Sequence, residues 1–189
     1  MSADAPTRRT APERREEVIE AAIAVFAEEG YAAASTQRVA DRAGISQAYV
    51  FRLFHGKRAL FIACVETVMG RISSAFVDAA AASADRTPDG ILTAMGLRYP
   101  GLLEQPGLLA LQLQSHAAAA GDPAIRARVR GLFLQLWETV RAASGAPEER
   151  IIEFFAKGLL INALGALGLT ELFFRPADDG AHAPGRETA

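Results

Sequence analysis

The sequence is poor in several features, and each scarcity excludes something. Its 189 residues contain one cysteine, Cys64, so no intrachain disulfide scaffold is available and a reducing cytosol suits the chain. No charge of one sign dominates: the formal net charge is -2, and any basic surface must therefore be local. Aromatic residues are few, at 7%, yet 50% of the residues are apolar, too many for disorder as the overall state. Long uncharged hydrophobic runs are missing as well. The nearest, residues 154–174, is interrupted by Lys157, Asn162 and Glu171, so a buried helix is expected there rather than a bilayer span. Residues 1–17 mix Pro, Arg and Glu without the apolar core of a secretory signal. A cytoplasmic protein with no membrane partner is expected.

Chemical motifs are equally sparse. There is no GxSxG elbow, P-loop, dinucleotide fingerprint or zinc-ligand spacing, and the chain has only three histidines. No enzyme activity, cofactor or metal site is expected.

What the chain does have is helical periodicity almost throughout, with Ala, Leu, Glu and Arg prominent and strand alternation almost nowhere. Thr10 and Glu13 have capping-box spacing, with Pro12 in the first turn. A helix is predicted to start there, bury Val18, Ile19, Ala22, Ile23 and Phe26, and stop at Gly30. Ser35 caps a short second helix that breaks at Gly44, and Ser46 caps a third carrying Val50 and Phe54 inward. A long fourth helix begins near Lys57 and ends near Ser83. Beyond it, Thr87-Pro88 opens a short helix predicted to fail near Gly96, and Tyr99-Pro100-Gly101 reads as a turn. Further helices are predicted from Gln105 or Pro106 to Ala120, from Asp122-Pro123 to Ser144, and from Pro147 onward. The fold class is all-α, divided into a flexible arm (1–11), a helix-turn-helix domain (12–58), a larger helical domain (59–175) and a disordered tail (176–189).

The segment that carries chemistry is 35–58, STQRVADRAGISQAYVFRLFHGKR. Ala40, Gly44 and Val50 have the spacing of a helix-turn-helix: a small residue for close approach, a glycine for the tight turn, and an aliphatic residue to lock the pair. Arg38, Arg42, Arg52, Lys57 and Arg58 are offset in this window by Asp41 alone, giving +4 in a chain of net charge -2. Such a concentration is the electrostatic footprint of a DNA-binding unit. On a helical wheel Val50, Leu53 and Phe54 share one side of the third helix, and Ala48, Phe51, Arg52 and His55 lie opposite. The second face is expected in the major groove. Gln47 can pair bidentately with adenine, Ala48 suits a thymine methyl, and Arg52 reaches guanine or phosphate. Thr36 and Gln37, at the start of the second helix, and Tyr49 on the flank are expected at phosphates.

In RREEVIEAAIAVFAEEGY, STQRVADRAGIS and VFRLFHGKRALF, covering about residues 12–65, the chain resembles the TetR family of bacterial transcriptional regulators. The resemblance implies a homodimer with an N-terminal three-helix DNA-binding domain and a C-terminal helical domain that binds a small molecule and dimerises. Ligand binding would then release a palindromic operator, so the protein would be a ligand-responsive repressor. Lys57 resembles the family's phosphate-binding lysine. Phe51 stands where the family usually has Tyr, which removes a hydroxyl that Tyr49 is placed to replace. The alternative reading is a helical protein-interaction module whose DNA-binding face is vestigial.

In the C-terminal half, Ile151, Phe154, Phe155, Leu159, Leu160, Ile161, Leu164, Leu167 and Leu169 surround the last helix almost completely. A helix apolar all round needs cover on both sides, so a four-helix dimer interface built from residues about 123–144 and 147–169 of each protomer is expected. An effector pocket needs apolar walls with a few polar groups. Its candidate lining is Phe76, Met95, Leu111, Gln112, Ser115, His116, Phe133, Trp137, Phe155 and Asn162.

Overall fold

The computed structural model describes residues 10–169; the predicted tail (176–189) and residues 1–9 of the predicted arm (1–11) lie outside the described residues, while Thr10 and Ala11, placed in that arm by the sequence, are the cap and first residue of a helix. Eight helices run in order: α1 (Ala11–Ala33), α2 (Thr36–Ala43), α3 (Gln47–Phe54), α4 (Lys57–Ala82), α5 (Pro88–Leu103), α6 (Leu108–Gly121), α7 (Pro123–Ser144) and α8 (Glu148–Ala166). No strand occurs among the described residues, and the architecture is all-α.

The helix starts follow their caps. The Glu13 amide donates to Thr10 Oγ1 at 3.4 Å and the Thr10 amide donates back to the Glu13 carboxylate at 2.8 Å, a reciprocal capping box with Pro12 in the first turn. At the far end of α1, Gly30 breaks the helical dihedrals at φ 74°, ψ 165°, and the chain resumes a helical turn to Ala33. A dipole-complementing cap opens α7, where Asp122 accepts from the amides of Ala124 and Ile125.

The head, α1 to α3 with the start of α4, is built on an aromatic knot. Phe26 meets Phe61 edge-on at 5.0 Å, and Tyr31 lies 4.7 Å from Phe61. All five residues predicted for the buried face of α1 are buried. Below the head, α4 forms the spine, packing on α1, α5 and α7. Among the described residues it is the helix long and apolar enough to cross a membrane by length and composition; here Leu60, Phe61, Val65, Val68, Ile72 and Phe76 are buried inside the bundle. Head and body also meet where α6 crosses α1. A Cβ at Gly107 (φ 77°) would stand 2.9 Å from Ile23 Cγ2, so a glycine lets α6 start directly against α1.

One predicted stretch folds otherwise. Helix α5 neither fails near Gly96 nor turns at 99–101; it continues to Leu103 with Pro100 inside it. Proline cannot donate to the carbonyl of Gly96 and disfavours a helix interior by about 3 kcal/mol. Burial of Ile91, Leu92, Met95, Tyr99 and Leu102 along one face holds the helix together. Helix α6 starts at Leu108, slightly later than predicted.

Candidate nucleic-acid interface and internal cavity

Helices α2 and α3 are placed by small residues and a left-handed turn. Val39 and Ala40 are buried against Val50 and Phe54. Gly44 adopts φ 64°, ψ 37°, and the Ile45 amide returns to the Ala40 carbonyl at 3.0 Å. Caps open both helices: Ser35 Oγ accepts from the Arg38 amide and Ser46 Oγ from the Tyr49 amide, each at 3.2 Å. With Val50 and Phe54 inward, the other face of α3 is left open. Gln47, Ala48, Phe51 and Arg52 are exposed and Tyr49 is half-buried; Phe51, at 58% exposure, is an apolar ring held in solvent.

The polar residues of this surface already have partners. Gln47 Nε2 donates to Thr36 Oγ1 at 2.9 Å, tying the first turns of α2 and α3. Gln37 Nε2 donates to Asp41 Oδ1 at 2.7 Å. The Arg52 guanidinium lies 4.5 Å over the Tyr49 ring, a cation–π contact that holds both side chains on one flank. Lys57 Nζ donates to the carbonyls of Ala32 and Ala34, each at 2.9 Å, and sits 5.0 Å from the Tyr31 ring centre. It satisfies carbonyls left open at the end of α1 and fastens the start of α4 to the α1–α2 turn.

The two α2 arginines, for which the sequence leaves pairing with a nearby Glu open, have acidic partners on α1. Arg38 pairs with Glu29 and Arg42 with Glu28, both at 2.7 Å. The segment's local excess of positive charge is therefore partly compensated from α1. The signal lay in the Glu28-Glu29 pair at the end of α1, one turn from the corner that brings α2 back beside it.

In the body, a cavity of about 300 Å³ lies among α4 to α8. Seven of the ten candidate residues line it: Phe76, Gln112, Ser115, His116, Phe133, Phe155 and Asn162. Met95, Leu111 and Trp137 do not. The first two are buried in the packing between helices, and Trp137 stacks behind Phe155 at 4.9 Å. The sequence reading also passed over Tyr99, because it placed that residue in a turn. The Tyr99 hydroxyl donates to Asn162 Oδ1 at 2.8 Å and lies 3.0 Å from Gln112 Oε1. Burial raises the Tyr99 pKa, so the phenol stays neutral. Asn162 Nδ2 also donates to Gln112 Oε1, at 3.4 Å, while Gln112 Nε2 is buried with no hydrogen-bond partner. His116 is exposed as a residue, yet partial desolvation of its ring lowers its pKa. Among the described residues no His, Cys, Asp or Glu cluster could hold a metal.

A three-helix head with a solvent-facing second helix of a helix-turn-helix, mounted on a hollow helical body, defines a DNA-binding protein of the helix-turn-helix class. Residues 18–64 match the model of the family described as bacterial regulatory proteins, tetR family. Over that N-terminal segment the chain is similar to the TetR family of bacterial regulators. Solved structures extend the likeness of fold over the body. A TetR family transcription regulator from Marinobacter aquaeolei VT8 is 21% identical, with 89% of each chain covered and a TM-score of 0.64. PfmR, a TetR family transcriptional regulator from Thermus thermophilus, is 19% identical over 92% of this chain and 100% of its own, at a TM-score of 0.63. The fatty acid degradation regulator FadR from Bacillus halodurans is 17% identical over 88% of each chain, at 0.61. No curated protein matches the chain in sequence.

Proposed function

We propose that the protein is a transcriptional repressor that binds a palindromic operator as a homodimer and leaves it when a small molecule enters the cavity of the body. The observation that carries this reading is the division of α3. Val50 and Phe54 anchor it, and Gln47, Ala48, Phe51 and Arg52 stand exposed on the opposite face. In this role Gln47 and Ala48 read base edges, Arg52 reaches guanine or phosphate, and Phe51 packs on a thymine methyl or sugar. Thr36, Gln37, Tyr49 and Lys57 lie around them at the phosphates. Lys57 would keep its hold on the α1 carbonyls, with its remaining N–H turned to the backbone of the DNA.

Dimerisation is supported by α8, where Ile152, Leu159, Leu160 and Leu167 are 46–70% exposed, together with Leu134 of α7 at 46%. Such a contiguous apolar surface fits burial against a second copy. Light scattering after size exclusion is expected to give a dimer, and Leu160→Glu a monomer. Two reading heads about 34 Å apart, or a multiple of that, would meet successive major grooves.

A gel shift on the gene's own upstream DNA tests the reading. Gln47→Ala is expected to relax sequence preference, and Lys57→Ala to weaken all sequences alike. A folded dimer that shifts no DNA at low salt would instead support a protein-interaction module.

A further inference from the structure

The cavity is chemically lopsided, and its asymmetry selects a ligand. Its walls carry Phe76, Phe133, Phe154 and Phe155, with Phe76 and Phe154 edge-to-face at 5.4 Å and Phe133 tilted on Phe155 at 5.2 Å. Charge is confined to the outer side: Asp89, Glu153 and Lys157 are exposed, and Arg150 between them is half-exposed. Arg150 is occupied by Asp89 at 2.8 Å and by Glu153. The inner polar groups are a phenol, two amides and a hydroxyl; the exposed residues Thr93 and His116 also line the cavity, and desolvation of the His116 ring favours its uncharged form. Ser115 spends its proton on the Gln112 carbonyl at 2.7 Å, and the Tyr99 proton goes to Asn162. Gln112 Oε1 is held in place by Asn162 Nδ2. That leaves the Gln112 amide nitrogen as a donor with two protons and nothing to give them to, a state that costs about 1–3 kcal/mol.

We propose that the cavity takes an uncharged aromatic ligand whose ring lies among the four phenylalanines and whose carbonyl oxygen accepts from Gln112 Nε2, the buried amide turning toward the cavity as the ligand enters. The proposal rests on the reading of this cavity as the effector site. An acceptor removes the penalty of the unmade hydrogen bond. A second donor would not, and a carboxylate would be stripped of water beside an amide with no cation within the inner lining. A volume of about 300 Å³ is at the lower end for small-molecule sites, which suits a ligand of two fused rings with a short substituent.

Three probes of one shape test the inference by titration calorimetry on the full chain: 2-acetylnaphthalene, 2-ethylnaphthalene and 2-naphthoate. The ketone is expected to bind at least tenfold tighter than either of the others. Gln112→Met, close in volume and without the amide, is expected to abolish the preference for ketone over hydrocarbon; Gln112→Leu serves if that variant does not fold. Equal affinity of ketone and hydrocarbon in the wild type, tightest binding of the naphthoate, a ketone preference that survives loss of the amide, or no binding of any probe would each overturn the proposal. Operator release is scored separately by gel shift. A ketone that binds with the expected preference but releases no DNA upholds the ligand class and removes the effector reading. Release driven by a tighter-binding naphthoate removes the ligand class and keeps the regulator.

Discussion

Arg58 Nε lies 2.8 Å from Asp122 Oδ2, so the second residue of α4 in the head is tied to the residue that caps α7 in the body. The same carboxylate holds the α7 amides of Ala124 and Ile125. This contact joins the α6–α7 corner to the residue next to Lys57. Burial works against ionisation of Asp122, but the amides of Ile125 and Ala124 and the Arg58 guanidinium outweigh it, and the carboxyl pKa falls below its usual value. A depressed carboxyl pKa stabilises the fold above the unfolded-state pKa, and that contribution is lost as pH falls through the folded one. Asp122→Asn keeps a capping oxygen without the charge. Urea unfolding is expected to show the wild type ahead of this variant at pH 7, with the gap closing as pH drops below about 3.9.

Two glycines with positive φ separate backbone strain from crowding. At Gly44 an added Cβ meets nothing within 4 Å, so Gly44→Ala is expected to cost only the left-handed conformation, about 1–2 kcal/mol. At Gly30 the dihedrals (74°, 165°) belong to a region used almost only by glycine, and a Cβ would lie 3.0 Å from Gln114 Oε1. Its alanine variant is expected to lose about 1–3 kcal/mol from the backbone alone and to displace Gln114 as well. Denaturant midpoints should rank Gly30→Ala as the more damaging change.

On the proposed reading, the acids of α1 limit how much of the α2 charge is available to DNA. Replacing Glu28 and Glu29 by Gln frees Arg42 and Arg38 from their partners. Operator affinity at low salt is expected to rise, and the slope of log K against log salt to steepen by about 1–2. Fluorescence anisotropy at several salt concentrations measures both. An unchanged slope would place the two arginines away from phosphate.

Cys64 reports on the seam between α1 and α4. Its thiol is fully buried, contacts the Ile19 carbonyl at 3.8 Å, and burial pushes its pKa far up. As the chain's single cysteine, it should resist Ellman's reagent at pH 8 in the native protein. Labelling is expected to appear across the same denaturant range in which helicity is lost.

Local signals made much of the fold legible, because caps and periodicity act over one or two turns. Ser35, Ser46 and Asp122 each cap the helix expected of them, and the inward face of α1 follows from its spacing. The head's fold and the exposure of its third helix were legible for the same reason. What the sequence hid depends on contacts distant along the chain. Pro100 and Gly96 read as breakers until the packing of Tyr99 against Asn162 and of Met95 in the core is known. Met95, Leu111 and Trp137 have cavity-like chemistry, but wall and core are told apart only by which side of a helix faces the void. The pairing of Arg38 and Arg42 with α1 is likewise a tertiary fact.

The seat of Gly107 on Ile23 has a practical consequence for building hybrid proteins. A cut at the His55-Gly56 corner looks natural on the chain, yet it would leave α1 of one parent pressed against α6 of another. Exchanging C-terminal helical bodies among proteins of this fold should succeed only when the α1 residues at 23, 27 and 30 travel with the α6 they touch, so the transplantable cassette is discontinuous along the gene.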